Sequence, residues 1–203
     1  MIQGSNALWL ALSLGDIVID PPPAPEAIQP ASIDLHLGTS FVVFPGGHRV
    51  LNFTDPERPP EVEVVRFEAD HINLHPGQFA LATTAERVAF GVKFVGRIEG
   101  KSSIGRIGLL THVTAGFIDP GWDGPLTLEL HNVSPHTLVL PAGFAIAQIA
   151  FFEAHMVGRG YGAAGGNHYR QQRGATVSRL VMPYTQQGAM RVYDDGSRTY
   201  RED

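Results

Sequence analysis

Cysteine is absent from this 203-residue sequence. The chain therefore offers no disulfide framework, no thiolate nucleophile and no cysteine-ligated zinc site. It does contain nine histidines, but they are scattered, and none falls in a compact ligand spacing such as His-Glu-x-x-His. The sequence thus predicts chemistry without a zinc ion held by its own side chains.

Long apolar runs and an excess of basic residues are also missing. The apolar stretch at residues 7–14 is too short to cross a bilayer, and the residues before it lack the basic start of a signal peptide. A formal net charge of −5 argues against broad contact with duplex nucleic acid, which needs a basic face. We expect a cytoplasmic protein that binds neither membranes nor nucleic acid. A local cationic pocket for one small phosphorylated ligand stays compatible with this charge.

Glycine and proline are plentiful, with 23 and 15 residues, which is typical of many short strands joined by turns. Polar and apolar residues alternate at 32–37 and again at 126–131, as in half-buried strands. The run 144–152 is nearly continuously apolar, which indicates a core strand of a sandwich or a strand buried on both faces. No helical pattern alternates with these strands. The sequence predicts a mostly β fold, an antiparallel sandwich or barrel such as a jelly roll.

One helix is expected near the start of the chain, with Ser5 or Asn6 as its cap and Gly15 at its end. We expect residues 1–180 to form a single domain. We expect the glycine-rich stretch at 158–166 to make the last part of that domain mobile.

The last residues of the chain, 181–203, are strongly polar. Such a composition cannot bury enough apolar surface to offset the entropy of ordering it. The sequence therefore predicts a tail that lies outside the domain.

The densest chemical signal is the stretch Gly-Lys-Ser-Ser-Ile-Gly-Arg at residues 100–106. It predicts a second short helix that starts at Ser102 or Ser103. Free main-chain N–H groups, two hydroxyls and the cations Lys101 and Arg106 would then converge, which suits a phosphate. The alternative is a plain serine cap on a surface helix, worth ~1 kcal/mol, and the stretch taken by itself favours that alternative.

A second group of residues follows at 118–122, which reads Ile-Asp-Pro-Gly-Trp, and in the strand 126–131. Asp119 can be a simple turn residue and Trp122 a core aromatic. Glu129 stands among leucines in mid-strand, where glutamate is uncommon. It is either a solvent-facing side chain or a partly desolvated carboxylate suited to moving protons near neutral pH. The alternation by itself leaves both alternatives open.

Six segments in this order carry a family resemblance. They are Ala-Ser-Ile-Asp-Leu at 31–35, residues 74–82, Gly-Lys-Ser-Ser at 100–103, Gly-Phe-Ile-Asp-Pro-Gly-Trp-Asp-Gly at 116–124, Thr-Leu-Glu-Leu at 127–130 and residues 169–174. In this combination the chain resembles the dCTP deaminases of the dUTPase superfamily, over residues 15–179. Trimeric dUTPases usually carry an apolar residue where this chain has Glu129.

The resemblance implies a distorted jelly roll with one or two short helices that assembles as a homotrimer with composite sites at its subunit interfaces. It also implies Mg²⁺ bound through the nucleotide phosphates and not by protein side chains, and a segment at 156–180 that closes over the ligand. The activity it implies is zinc-independent hydrolysis of dCTP at C4 of cytosine. Glu129 would take the proton from the attacking water and pass it to N3. Ser102 would help hold the water, and Arg106 would stabilise charge and position the carboxylate.

The resemblance further implies a set of nucleotide contacts. They are Lys101, Ser102, Ser103, Ile104, Gly105 and Arg106 at the triphosphate and base, Asp119 at the deoxyribose, Thr127, Leu128 and Glu129 at the pyrimidine, and Gln148, Tyr161, His168 and Gln172 elsewhere on the nucleotide. His168 stands where the deaminase branch often has lysine, so triphosphate binding is expected to be weaker or more pH-dependent.

The resemblance at Gly116 and Phe117 indicates which product the enzyme forms. They match the enzymes that continue to dUMP and pyrophosphate, whereas those that stop at dUTP often carry His-Arg there, and Gln148 also matches the dUMP-forming type. The favoured prediction is therefore direct formation of dUMP, the precursor of dTMP. Other functions stay open: a dCTP deaminase that releases dUTP, a dUTP pyrophosphatase, or a non-catalytic nucleotide-binding protein of the same fold. dUTP and the inhibitor dTTP of many relatives are further expected ligands.

Overall fold

The computed structural model describes residues 1–45, 50–54, 60–163, 169–179 and 191–194. The helices are α1 (Ser5–Leu14) and α2 (Ser102–Gly105). The strands are β1 (Ile17–Asp20), β2 (Ile33–Val43), β3 (Glu61–Glu68), β4 (His71–Leu74), β5 (Phe79–Phe90), β6 (Phe94–Gly100), β7 (Leu109–Leu110), β8 (Phe117–Ile118), β9 (Asp123–Asn132), β10 (Leu138–Pro141), β11 (Ala145–Glu153) and β12 (Arg191–Asp194).

Most of the strands belong to one curled sheet. Its central path runs β7-β9-β5-β2-β11-β6-β8, β1 pairs with β5, and β3 pairs with β2. Strands β4 and β10 form a separate two-stranded sheet. These pairings are antiparallel, and the one parallel pair among the described strands is β12 with β3. The predicted mostly antiparallel β fold with two short helices is confirmed.

The alternation predicted at residues 126–131 is confirmed in β9. Leu126, Leu128 and Leu130 are at most 5% exposed and pack in the main apolar core, where burying a leucine side chain contributes ~1.5–3 kcal/mol. Glu129 points to the other face and is half-buried. The strand thus holds this carboxylate against a rigid apolar layer.

Strand β11 lies between β2 and β6. Ile149 and Phe151 are fully buried on one of its faces, whereas Gln148 and Phe152 on the other are half-buried. Residues 147–152 therefore alternate as in the core strand of a sandwich, whereas Ile146 and Ala147, which are consecutive, are both fully buried.

Helix α1 begins at Ser5, with Gly4 in the N-cap position and no side-chain cap. The prediction that Ser5 or Asn6 caps this helix is wrong. The main-chain N–H of Ser5 donates instead to Pro30 O at 2.9 Å, a partner distant in sequence. Gly15 ends the helix in the left-handed region, with φ 73°, as predicted. None of the described helices has the length and apolar character that crossing a bilayer requires.

A second, smaller core attaches the segment 169–179 to the sheet. Its members are Val42, Val64 and Leu81 from three neighbouring strands, with Ala175 and Val177 from the segment. Main-chain contacts reinforce this packing, since Ala175 N donates to Ser40 Oγ at 3.0 Å and Arg66 Nη1 donates to Ala175 O at 2.7 Å.

Residues 191–194, inside the predicted polar tail, form β12 and pair with β3. The backbone of this strand therefore lies along the edge of the main sheet. The domain limits and the mobility of residues 156–180 stay predictions.

Candidate active site

A cavity of about 540 Å³ lies between the outer face of β9, the turn after β8 and the segment 169–179. This volume is within the range of small-molecule sites, ~300–1,000 Å³. Six of the predicted site residues line it, and we call this cavity the Glu129 pocket. They are Phe117, Asp119, Thr127, Glu129, Tyr161 and Gln172.

Glu129 is held in place by main-chain groups. Its Oε2 accepts hydrogen bonds from Val113 N at 2.9 Å and Thr114 N at 3.4 Å, and its own N donates to Thr111 O at 3.1 Å. No donor in the described part of the chain contacts Oε1. That oxygen is therefore available to take a proton from a water at the pocket wall.

Asp119 begins a tight turn that closes one side of the pocket. Trp122 N donates to Asp119 O at 3.3 Å, and Gly121 adopts φ 87°. A Cβ at Gly121 would lie 3.0 Å from Tyr161 N, so glycine is required by the close approach as well as by the conformation. The rings of Trp122 and Tyr161 pack with their centroids 5.6 Å apart. The turn thereby fixes the aromatic wall of the pocket.

The side chain of Gln172 connects the segment 169–179 to β9 by hydrogen bonds. Its Nε2 donates to Thr127 Oγ1 at 3.0 Å and to Pro125 O at 2.8 Å. Its Oε1 is buried and has no partner among the described residues. A buried acceptor without a partner is costly.

Leu128 does not place its side chain in the pocket. That side chain is fully buried in the main core, on the opposite face of β9 from its neighbours Thr127 and Glu129. The predicted contact of Leu128 with the pyrimidine can therefore involve only its main-chain atoms, because side chains alternate along a strand, and it stays a prediction.

The residues of the predicted phosphate site lie elsewhere on the chain. Helix α2 starts at Ser102, as predicted, and has no side-chain cap. The residues at 101–106 that were predicted to contact the nucleotide do not line the Glu129 pocket. Ile104 is buried in the main core and cannot present its side chain to a ligand. Lys101 is half-buried. The other residues of this stretch are exposed: Ser102, Ser103, Gly105 and Arg106.

Lys101, Gln148 and the exposed residues of α2 form a second location. We call it the Lys101 surface. Lys101 Nζ donates to Asp34 Oδ2 at 2.5 Å. Gln148 lies in register between Asp34 and Glu99 on neighbouring strands, and its Oε1 accepts a hydrogen bond from Ser32 Oγ at 3.0 Å. One chain therefore brings Lys101, Gln148 and α2 together, and none of these residues lines the Glu129 pocket.

Gly116 lies against β6 behind the pocket wall. A Cβ there would be 2.8 Å from Ile98 O and 3.2 Å from the His112 ring. Phe117, the next residue, is 67% exposed and lines the pocket. His168 lies outside the described residues.

No three His, Asp or Glu side chains cluster closely enough to hold a metal ion in the described ranges. The sequence reasoning did not name the main-chain donors Val113 and Thr114, nor Tyr169 in the pocket wall. Main-chain donors leave no residue-type signal. Tyr169 did have a sequence signal, because it is the first residue of the segment 169–174, which carries part of the family resemblance.

Glu99 is a charged residue beside this site that the sequence reasoning also missed. Its Oε1 accepts from Arg97 Nε at 2.6 Å, and its Oε2 lies 3.4 Å from His112 Nε2. The Arg97 hydrogen bond holds the pKa of Glu99 below its usual range, His112 acts in the same direction, and partial burial opposes both.

The pKa of Glu99 gives a test of this geometry. We expect Arg97→Gln to raise it, because the substitution removes the main stabiliser of the charged form. A pKa lowered by folding adds stability above the unfolded pKa, and this stability is lost as the pH falls through the folded pKa. The variant should therefore lose less stability on acidification than the parent protein. Carboxyl-carbon NMR titration checks the shift, and an unchanged Glu99 titration in Arg97→Gln would contradict the contact.

Comparison with known proteins identifies the family. The chain matches a family model described as dCTP deaminase-like over residues 2–154. A dCTP deaminase, dUMP-forming, of Bifidobacterium longum is 42% identical over 184 residues, which cover 88% of this chain and 94% of that protein. A dCTP deaminase of Haloarcula marismortui is 40% identical over 187 residues, which cover 89% and 95% of the two chains.

A crystal structure of 2′-deoxycytidine 5′-triphosphate deaminase from Agrobacterium tumefaciens has the same fold, with a TM-score of 0.58 at 21% identity. The match covers 76% of this chain and 48% of that one, so this chain spans about half its length. The fold expected from the resemblance is confirmed. With a family model over most of its length and relatives at 40–42% identity, the chain belongs to the dCTP deaminase-like family.

Proposed function

We propose that this protein hydrolyses dCTP to dUMP, pyrophosphate and ammonia, in the cytoplasm. The observation that carries the proposal is Glu129, a carboxylate in the wall of a ligand-sized cavity with one oxygen fixed by main-chain N–H groups. The Bifidobacterium longum relative is a dUMP-forming dCTP deaminase, which supports the same product here.

Glu129 performs the proton transfers of the deamination. A water attacks C4 of cytosine, the carboxylate takes a proton from it and delivers that proton to N3, and C4 becomes tetrahedral. The carboxylate then moves the remaining hydroxyl proton to the amino group. The C4–N bond breaks, ammonia leaves, and the C4 carbonyl of uracil forms.

A second subunit completes the site. Ser102 and Arg106 belong to the Lys101 surface and not to the Glu129 pocket of their own chain. In the homotrimer that we propose, each site joins the Glu129 pocket of one subunit to the Lys101 surface of its neighbour. Ser102 then helps hold the attacking water, and the Arg106 guanidinium stabilises the charge that develops at the base.

The Lys101 surface binds the phosphates. Its two serine hydroxyls, Lys101 and the Gln148 amide supply donors, and the nucleotide brings Mg²⁺ with it as part of the substrate. dTTP carries the same triphosphate and sugar as dCTP. It therefore fits the same Glu129 pocket and Lys101 surface, where it acts as an inhibitor.

Gly116 and Phe117 support the second hydrolysis. Glycine lets the chain run within van der Waals distance of Ile98, where any side chain would collide. The space beside the phosphates then admits a water for in-line attack on the α-phosphorus. The bond from this phosphorus to the bridging oxygen breaks, and pyrophosphate leaves with the charge neutralised by the Mg²⁺ of the substrate.

The product distribution tests this proposal. We expect early samples from dCTP and Mg²⁺ to contain ammonia, dUMP and pyrophosphate in equal amounts, with no accumulation of dUTP. Ion-exchange chromatography with an ammonia assay measures all four. Accumulation of dUTP without pyrophosphate would leave a deaminase that stops at dUTP. Pyrophosphate from dUTP without ammonia from dCTP would mean a dUTP pyrophosphatase, and tight dCTP binding without turnover would mean a binding protein.

A further inference from the structure

Strand β6 supports the loop that holds Glu129. Ile98 N donates to Gly116 O at 2.8 Å, and Arg97 stands opposite Phe117 in the β6–β8 register. The third contact is made by a side chain, since Glu99 Oε2 lies 3.4 Å from His112 Nε2. Residues 112–118 thus run alongside residues 96–99 of β6.

His112 is the centre of this loop. Its neighbours in sequence, Thr111 and Val113, make the main-chain contacts to Glu129 at 3.1 and 2.9 Å. Its ring lies against Gly116, where an added Cβ would be 3.2 Å from Cε1. The ring therefore lies between the main-chain groups that contact Glu129 and the Gly116 segment.

Glu99 is the polar contact that orients the His112 ring. Nδ1 of His112 is buried and has no partner among the described residues, which leaves Nε2 and Glu99 as the polar connection of the ring. In the neutral imidazole the Nε2–H donates to the carboxylate. The other carboxylate oxygen accepts from the exposed Arg97 at 2.6 Å and does not contact His112. Glu99 does not line the Glu129 pocket.

We propose that Glu99 is a positioning residue for the deamination, acting through His112 to hold the N–H groups of Val113 and Thr114 on Glu129. This role rests on the proposed function of Glu129. It predicts that Glu99 affects the rate of the chemical step and leaves substrate binding nearly unchanged.

The first experiment compares Glu99→Ala and Glu99→Gln with Arg97→Gln. Glu99→Ala should lower kcat about tenfold with KM within about twofold of the parent, the pattern of a lost transition-state contribution. Glu99→Gln keeps the shape but leaves one of two donors unpaired, so its loss should be smaller. Arg97→Gln is the matched control, because it removes the other partner of the same carboxylate and should keep kcat. An equal loss in Arg97→Gln, or a loss confined to KM, would overturn the proposal.

The second experiment is a double-mutant cycle with His112→Ala. If Glu99 acts through His112, the double variant should lose no more activity than the more impaired single variant. Losses that multiply would show independent effects and would overturn the proposed route.

The third measurement does not depend on turnover. Amide hydrogen exchange at Val113 and Thr114 should be several-fold faster in Glu99→Ala than in the parent or in Arg97→Gln, since loosening of the loop exposes these N–H groups. If the parent protein released no ammonia from dCTP, the proposed function would fail, and this exchange would still test the positioning. Unchanged exchange in Glu99→Ala would overturn it.

Discussion

Glu129→Gln is expected to lower ammonia release from dCTP by ~10²–10⁴-fold, the usual contribution of a general acid–base group. Glutamine keeps the shape of the side chain, and its carbonyl oxygen can still accept from Val113 N, which lies 2.9 Å from the carboxylate oxygen now. It has no basic oxygen to take the proton from water. Dissociation constants for dCTP should therefore stay close to those of the parent, as calorimetry will measure.

A neighbouring residue provides the control for this substitution. His131 lies two positions further along β9, on the same face and also half-buried, and it does not line the pocket. His131→Gln should keep the deaminase rate. A loss of tenfold or less in Glu129→Gln would mean that another group carries the proton, because general acid–base effects start at ~10²-fold.

Two inactive variants are expected to restore activity when they share one trimer. Arg106→Ala removes one of the two cations of the Lys101 surface, and Glu129→Gln removes the proposed base of the other half-site. In mixed trimers, about one quarter of the sites should combine an intact Arg106 with an intact Glu129, because each half comes from a subunit chosen at random. Co-expression with two affinity tags and an ammonia assay measures the recovered rate.

The same experiment has an internal control in Asp119→Ala. Asp119 lines the same pocket as Glu129 within one chain. Mixed trimers of Asp119→Ala and Glu129→Gln therefore contain no site in which both residues are intact, and they should show no recovery. Equal recovery in this pair, or none with Arg106→Ala, would contradict the shared site.

Local patterns predicted the elements that local forces determine. The leucines of β9 are buried as their alternation requires, and Gly15 ends α1 because its left-handed conformation disfavours other residues. The cap of α1 was missed because a tertiary contact determines it. Ser5 N donates to Pro30 O, and Gly4, which has no side chain to cap the helix, occupies the N-cap position.

In the candidate site, too, local sequence predicted the residues, whereas contacts between distant positions determine the geometry. Residue types and the resemblance predicted Glu129, Thr127 and Gln172, and these three lie around one cavity. Their geometry could not be predicted, since the contact between Gln172 and Thr127 joins positions 45 residues apart. Glu99 was missed for a related reason. Its contact to His112 crosses from β6 to a loop, and no periodic pattern links the two positions.

The donors to Glu129 belong to the main chain at Val113 and Thr114, which affects how this site tolerates genetic variation. Every amino acid except proline supplies an N–H, so a change of side chain at either position leaves the donor in place. A codon change to proline removes it outright. We therefore expect natural variants to differ at these two positions but to lack proline at both, and the proposed role of Glu129 predicts that they keep glutamate there.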